Sequence, residues 1–260
     1  MTISAGIGIA NFPFDDGRDF WRWVDLCESG GVDSIWQSDR LVGTDPNLEC
    51  MSVMAALAGA TRRMKFGMNV ASLGLRHPFL VAKACASIDV LSGGRLLPAV
   101  AVGQRSGFDY AAAACRRRAA ASVPTRACRS CVGSGPRRRW TSTAATTSTT
   151  APASPRIRWA EILMPLWVGG SAEAAIERTA RWGTGWQAGI DTPAQVAPVI
   201  DAIKRRTADL GRHIDADHFG AGFGFRFGTP DDPVSAGYLA MLEKRLGKDP
   251  TDSSPSATRR

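Results

Sequence analysis

Long apolar segments are missing from this sequence of 260 residues. It contains no run of 18 or more apolar residues, and its first residues do not form a basic segment followed by an apolar one. A membrane-spanning helix needs about 20 apolar residues, and a secretory leader has that basic-then-apolar pattern. We therefore expect a soluble, cytoplasmic protein without a membrane partner.

Cysteine and histidine are also scarce, with six and three residues. The cysteines do not follow the pattern of a disulfide framework, which indicates reduced thiols. Cys128 and Cys131 form a single CxxC motif, but the sequence offers neither a second such motif nor a nearby His to complete a zinc site. We predict no metal site.

Acidic residues are nearly absent from one segment. Residues 105–158 contain eleven Arg and a single acid, Asp109, so this segment carries +10 while the whole chain carries +8. The rest of the chain is therefore slightly acidic, and no interleaved aromatic pattern accompanies the arginines. This distribution argues against a nucleic-acid partner, although a basic binding module centred on the segment stays a weaker alternative.

The clearest pattern that is present covers residues 61–103. Lys65 to Ala71 predicts a strand, and the segment that opens at Pro78 repeats apolar residues, Leu80 and Leu91 among them, at the 3.6 spacing of a helix. The turn LSGGR predicts the end of that helix. Leu96 to Val102 is almost purely apolar, which is typical of a parallel strand buried on both faces. This βαβ unit predicts a parallel α/β sheet.

Further strand and helix patterns alternate along the rest of the chain. The strands are predicted at Ile3 to Ile9, Ser34 to Gln37, Met164 to Gly170, Gly185 to Ala188 and Phe219 to Phe227. The length is close to the roughly 250 residues of a (β/α)8 barrel. We predict one α/β domain over residues 1–260, a TIM barrel in which seven β/α units can be counted and the eighth is missing.

Two helix assignments in this barrel are specific. The first helix is predicted to begin at Asp15 or Asp16 and to face the sheet with apolar residues that include Trp21 and Leu26. The helix after the fifth strand is predicted to begin with Ser171 as its N-cap.

Two segments do not fit the barrel pattern. Residues 105–158 are rich in Arg, Ser, Thr and Ala and show no sustained apolar period, and residues 251–260 are polar. This composition predicts disorder in both.

Four motifs together suggest a family: GVDSIWQSD, LSGGR, PLWVGGSAEAA and RWGTGWQAG. In this order and spacing they resemble the luciferase-like oxidoreductases, TIM barrels that bind reduced flavin mononucleotide (FMN) or the deazaflavin coenzyme F420. The resemblance covers about residues 1–103 and 162–250, and its wording is nearer to the actinobacterial deazaflavin-using branch. It implies an oxidoreductase that acts on a small organic substrate by hydride transfer or monooxygenation. Coenzyme F420 is the expected cofactor, FMN the alternative, and a homodimer the expected assembly.

The resemblance also implies cofactor-binding positions. Asp39, after the second strand, matches an acid that contacts the cofactor, although an Asp there can also simply cap a loop. Asn69 and Val70 fall where the family bulges its third strand with a non-prolyl cis peptide behind the flavin ring. Val102 and Gly103 end the fourth strand at the same edge.

One further segment and two substituted positions complete the candidate set. Gly169, Gly170 and Ser171 precede a helix, whose free N–H groups favour a phosphate. Arg40 stands where some deazaflavin enzymes have a catalytic His, and Gln104 where related reductases have a carboxylate. Gln104 cannot serve as a general acid, and Arg40 does not replace the proton transfer of a His. Both are therefore weak catalytic candidates.

The unusual segment suggests a frameshift. Thr, Ala and most Ser codons begin with AC, GC and TC, so a frame that starts at the third base has a restricted set of outcomes. In that frame Thr141 to Thr147 can read DVDGGDY and Pro255 to Thr258 can read AVGD, and both resemble the family better than the printed residues do. We predict one out-of-frame window within about 105–158, which replaces the fourth helix, and a second shift near residue 252. The alternative function is therefore a frameshifted, non-catalytic relic of such an enzyme.

Overall fold

The computed structural model describes residues 3–43, 46–103, 108–113, 139–144, 147–152, 165–189, 191–225, 229 and 232–246. The strands are, in chain order, β1 (Gly6–Ile9), β2 (Ser34–Gln37), β3 (Lys65–Ser72), β4 (Leu96–Ala101), β5 (Arg139–Ala144), β6 (Thr147–Pro152), β7 (Trp167–Gly169), β8 (Gly185–Gln187) and β9 (Phe219–Gly220). The helices are α1 (Gly17–Ser29), α2 (Cys50–Ala60), α3 (Pro78–Ser92), α4 (Phe108–Ala112), α5 (Glu173–Trp182), α6 (Pro193–Asp209) and α7 (Pro233–Leu246).

Seven of these strands form one sheet in the order β1-β2-β3-β4-β7-β8-β9. Every neighbouring pair is parallel, and helices connect most successive strands, so the sheet is a half-barrel of β/α units. The predicted barrel class is confirmed. Within the described residues this sheet has no eighth strand, and no helix there is long and apolar enough to cross a membrane.

The segment for which the composition predicts disorder contains described secondary structure. Helix α4 lies in it, and β5 pairs with β6 as an antiparallel hairpin. The other residues of 105–158, and the whole of 251–260, lie outside the described residues.

Strand β9 is much shorter than the predicted Phe219 to Phe227. It pairs with β8 over two residues only, and it lies at the edge of the sheet as far as the chain is described. The residues that follow alternate with glycine, at Gly222 and Gly224. Glycine weakens a strand because it loses more backbone entropy and has no side chain to pack, which explains the short strand.

Helix α1 is rotated relative to the prediction. Asp16 is its N-cap and accepts from the N–H groups of Arg18 and Asp19, as one of the two predicted alternatives required. Its buried residues are Phe20, Val24 and Cys27, at the i, i+4, i+7 spacing of one helix face. The prediction that Trp21 and Leu26 face the sheet is wrong: Leu26 is 61% exposed.

Helix α3 shows the same effect. It buries Val81, Cys85 and Ile88, again at i, i+4, i+7, whereas Leu80 and Leu91 are exposed, Leu91 by 73%. The apolar face that the sequence predicts for these helices is therefore wider than the face that is buried. Only a narrow stripe of each helix packs against the sheet.

Glycines make room for two tryptophans on the face of the sheet opposite the main core. The rings of Trp36 and Trp167 are 5.9 Å apart. A Cβ at Gly67 would lie 2.7 Å from the Trp36 ring, and a Cβ at Gly185 would lie 2.6 Å from Trp167 Nε1. The glycines on these strands are thus required by the neighbouring indoles, because a methyl group has no space there.

The LSGGR turn has a second function besides ending α3. Gly93 adopts a left-handed φ of 70°, which only glycine adopts without strain, and caps the helix. Arg95 then reaches back to the carboxyl end of α2, where its guanidinium donates to the carbonyls of Ala58 (3.0 Å) and Thr61 (2.9 Å). A cation at this position satisfies carbonyls that a helix end leaves free.

Candidate functional site

The predicted site residues follow successive parallel strands, so they meet at the carboxyl edge of the sheet. A Cβ at Gly169, in β7, would lie 2.9 Å from Val70 Cγ1, in β3. A Cβ at Gly103, after β4, would lie 2.8 Å from Ser72 Oγ, also in β3. The structure therefore brings three of the predicted segments together. Gln104 lies outside the described residues.

Strand β3 bulges within this edge. Met68 pairs with Pro98 and Ala71 with Val100, so β3 holds one extra residue between these pairs. The peptide bond between Asn69 and Val70 in the bulge is cis, which confirms the prediction. A bulge re-aims side chains out of the regular alternation. Here it presents Asn69 and Val70 at the mouth of the half-barrel.

The two bulge residues face other parts of the mouth. Val70 packs against Gly169, where no larger residue would fit. The Asn69 side chain is exposed, and a Cβ at Gly222, beyond β9, would lie 3.6 Å from Asn69 Nδ2. The mouth between β3, β7 and the residues after β9 is therefore lined by Asn69 and Val70 together with glycine positions.

Helix α4 holds two loops of this edge. The Asp109 carboxylate accepts from the N–H groups of Leu41 and Val42, at 2.8 Å each. Tyr110 is buried, and its hydroxyl donates to the Val102 carbonyl. Residues 108–112 lie in the segment 105–158, within which the out-of-frame window is predicted. Both side chains are integrated into the barrel, and the frameshift itself stays a prediction.

Asp39 and Arg76 form a buried ion pair. The Arg76 guanidinium donates two hydrogen bonds to the Asp39 carboxylate, one of them 2.7 Å from Nη2 to Oδ1. The Ser72 N–H donates a third, 2.7 Å long, to Asp39 Oδ2. The side chains are 1% (Asp39) and 12% (Arg76) exposed. Arg40, the next residue, is exposed and lies next to the loop that Asp109 holds.

Glu49 and Cys50 complete the surroundings of Arg76. Glu49 Oε1 accepts from Arg76 Nη2 at 3.0 Å. Burial by itself would lower the pKa of Arg76, but the hydrogen bonds and charges of its acidic neighbours outweigh burial and raise it. Burial would likewise raise the pKa of Glu49, but hydrogen bonds from the Ser52 N–H and from Arg76 lower it overall. Burial raises the pKa of the Cys50 thiol, which is therefore neutral at pH 7.

The predicted role of Ser171 as N-cap is wrong. The N-cap of α5 is Ala172, and the Ser171 hydroxyl instead donates to Asp191 Oδ2 at 2.7 Å. Asp191 precedes α6, whose own N-cap, Thr192, forms a capping box with Gln195. Helix α5 thus begins without a side-chain cap from the described residues.

The residues that sequence reasoning missed are Arg76, Asp109, Tyr110 and Asp191. Their partners lie at distant positions; Arg76 and Asp39, for example, are 37 residues apart. The one local signal was that Arg76 stands two residues before the Pro that opens α3. Within the described ranges no group of three or more His, Cys, Asp and Glu side chains could hold a metal ion.

Comparison with protein families gives one match that spans most of the chain. The family model described as "Luciferase-like monooxygenase" matches residues 3–245. Among curated proteins, the chain is 34% identical to 4-hydroxyprotoasukamycin monooxygenase of Streptomyces nodosus subsp. asukaensis over 95 residues, which are 34% of this chain and 25% of that protein. It is 28% identical to 5,10-methylenetetrahydromethanopterin reductase of Methanopyrus kandleri over 102 residues, 39% of this chain and 28% of that protein. The matched segments thus span little more than a quarter of these relatives.

Solved structures with the same fold extend over nearly the whole chain. Monooxygenase RslO1 from Streptomyces bottropensis has a TM-score of 0.79 at 15% identity and covers 96% of this chain and 80% of that one. The coenzyme F420-dependent tetrahydromethanopterin reductase from Methanopyrus kandleri has a TM-score of 0.69 at 19% identity and covers 97% and 78%. At these identities the likeness shows the fold alone.

Proposed function

Because the chain belongs to the luciferase-like monooxygenase family, we propose that it binds a reduced flavin or deazaflavin at the carboxyl edge of its sheet and acts as an oxidoreductase on a small organic substrate. The observation that carries this proposal is the bulged end of β3, which presents Asn69 at the mouth of the half-barrel and packs Val70 against Gly169.

The described residues fit such a group at two ends. Asn69 and Val70 would back the ring system, with Gly103 and Gly169 allowing the Ser72 and Val70 side chains to pack closely at this edge. Val102 is held by Tyr110 at the end of β4, and it would border the ring from that side. Gly170 and Ser171 would hold the phosphate, since the first N–H groups of α5 favour an anion.

Coenzyme F420 is the proposed cofactor, in preference to FMN. Support comes from the motif wording and from similarity to enzymes whose names state F420 dependence, such as the F420-dependent glucose-6-phosphate dehydrogenase of Amycolatopsis mediterranei, 31% identical over 94 residues. Another fold relative, a Baeyer-Villiger monooxygenase constituent, was solved in complex with FMN, with a TM-score of 0.70. When bound, either cofactor supplies a hydride, and reduced flavin can also react with oxygen.

The test is a fluorescence titration of purified protein with coenzyme F420 and, separately, with FMN. We expect a cooperative melt and saturable quenching, with tighter binding of F420. A Gly169→Val variant should bind neither cofactor, because its side chain would collide with Val70 and displace the bulge. Gly17→Val is the matched control, since a Cβ at Gly17 would meet no described atom within 4 Å.

Three outcomes of the titration would contradict parts of this proposal. Binding of FMN without F420 would overturn the cofactor choice and leave the family-level function standing. A cooperative melt with no binding of either cofactor would overturn the function. Equal binding by Gly169→Val and the native chain would overturn the location of the site.

A second candidate is a non-catalytic relic, which the composition of the Arg-rich segment favours. The contacts of Asp109 and Tyr110 with the barrel support an out-of-frame window that begins after α4. A non-cooperative melt together with absent binding would support this candidate. Sequencing of the locus tests the frameshift itself; an uninterrupted frame with coding support through both residues 105–158 and the region near residue 252 would refute it.

A further inference from the structure

The carboxylate of Asp39 is enclosed by its protein partners. Arg76 donates to both of its oxygens, and the Ser72 N–H donates to one of them. With 1% of its side chain exposed, Asp39 has little surface left for another group. A cofactor could take this carboxylate only by displacing Arg76.

Displacement of Arg76 is unfavourable for a physical reason. The guanidinium is 12% exposed, so breaking the pair would leave a buried charge without its closest partner. An unpaired buried charge is strongly destabilising, more so than the pair itself is stabilising. Glu49 would still accept from Arg76, but the Asp39 carboxylate would keep only the Ser72 N–H.

The pair instead fixes the end of β3, immediately after the bulge. Ser72 is the last residue of β3, two positions beyond Val70. Its N–H donates to the Asp39 carboxylate. Its hydroxyl oxygen packs closely against Gly103, since a Cβ at Gly103 would lie 2.8 Å from it. Asp39 thus fixes the Ser72 backbone just after the bulge, where the Ser72 side chain lies against Gly103 beyond β4. Through Glu49, Arg76 ties the same point to the start of α2.

We propose that Asp39 and Arg76 are a positioning pair that holds the bulged end of β3 behind the cofactor, and that Asp39 is not itself a cofactor ligand. This inference rests on the proposed function, since it concerns the same site. It replaces the role in cofactor contact that the family resemblance implied for Asp39.

Three variants separate the two roles: Asp39→Asn, Arg76→Met and the double variant. The dissociation constants for coenzyme F420 and FMN are measured by fluorescence quenching, below the melting transition of each variant. A positioning pair predicts that each single variant weakens binding at least about tenfold, because small displacements of a site have large effects. The double variant should then be within about twofold of the weaker single variant, because both substitutions remove the same contact.

A direct ligand predicts the opposite pattern. Arg76→Met would free the Asp39 carboxylate and keep or increase the affinity, whereas Asp39→Asn would lose it. That result would overturn the inference. If the native chain binds no cofactor, the proposed function fails; if it binds and Arg76→Met binds equally well, only the positioning role fails.

Two further variants control for effects of the substitutions on folding. Arg181→Met removes an exposed arginine that pairs with Glu177, and it should leave both dissociation constants unchanged. Arg76→Lys keeps the charge but loses the two-armed contact, so it should bind more tightly than Arg76→Met and more weakly than the native chain. If Arg76→Met does not fold, Arg76→Lys decides: native affinity in that variant would refute the positioning role.

Discussion

The contribution of the LSGGR turn to stability can be tested by replacing Arg95 with Met. The Arg95 guanidinium donates to the carbonyls of Ala58 (3.0 Å), Thr61 (2.9 Å), Met64 (2.9 Å) and Ser92 (2.8 Å), and to the Thr61 hydroxyl. It therefore joins the end of α2, the start of β3 and the end of α3. Methionine keeps much of the aliphatic volume but supplies no donor.

The expected loss follows from these bonds. Hydrogen bonds to a charged group contribute about 1.5 to 3 kcal/mol each, but Arg95 is only partly buried and water can replace some of them. The guanidinium also lies 5.3 Å from the centre of the Phe66 ring, a small further contribution. We expect Arg95→Met to lower the free energy of unfolding by about 3 kcal/mol. For a chain of this size that corresponds to a fall in melting temperature of roughly 6 to 12 °C.

Urea unfolding followed by circular dichroism measures this change. Arg22→Met is the matched control, because Arg22 is exposed on α1 and its loss should change stability by less than about 0.5 kcal/mol. Arg95→Lys should fall between the native chain and Arg95→Met, since an ammonium cannot reach several carbonyls at once. A loss below about 1 kcal/mol in Arg95→Met would refute the reasoning and show that water replaces the guanidinium.

Two other substitutions test the packing and the buried charge. Gly67→Ala should lower the free energy of unfolding in urea by at least about 2 kcal/mol, because its Cβ would overlap the Leu97 carbonyl oxygen and lie 2.7 Å from the Trp36 ring. Gly59→Ala, which faces open space on α2, should not be destabilising. Asp89→Asn tests the pH dependence of stability. Burial raises the pKa of Asp89, so the folded state binds this proton more tightly than the unfolded state does. The free energy of unfolding of the native chain therefore falls as pH rises from about 4 through the raised folded pKa. The Asn variant should lack this part of the decline between pH 4 and 8, and parallel curves for the two proteins would contradict the assignment.

Much of the fold could be predicted because its signals are local. Ser34 to Gln37 was predicted as a strand and is β2, and Gly93 ends α3 in the left-handed conformation, as predicted. The position of the bulge in β3 was also predicted correctly, but from resemblance to the family. Turn chemistry, apolar period and motif order operate over a few residues, so they can be read without coordinates.

The site was predicted less completely because its contacts join distant positions. Asp39 was selected from the family resemblance, but its partner Arg76 is 37 residues away and no pattern links the two. Ser171 satisfies the preference for a capping residue, yet its hydroxyl is taken by Asp191, 20 positions later. In each case a contact with a side chain distant in sequence outweighed the local preference. Only the parallel arrangement of the loops brings that side chain close.

The sequence by itself determined the order of the strands in the parallel sheet and the edge at which their loops meet, because periodicity and turn residues act locally. Only the tertiary structure decided which helix faces are buried, that α4 belongs to the barrel, and that Asp39 is enclosed by Arg76. These depend on the distances between residues far apart in the chain, and those distances exist only once the half-barrel has formed.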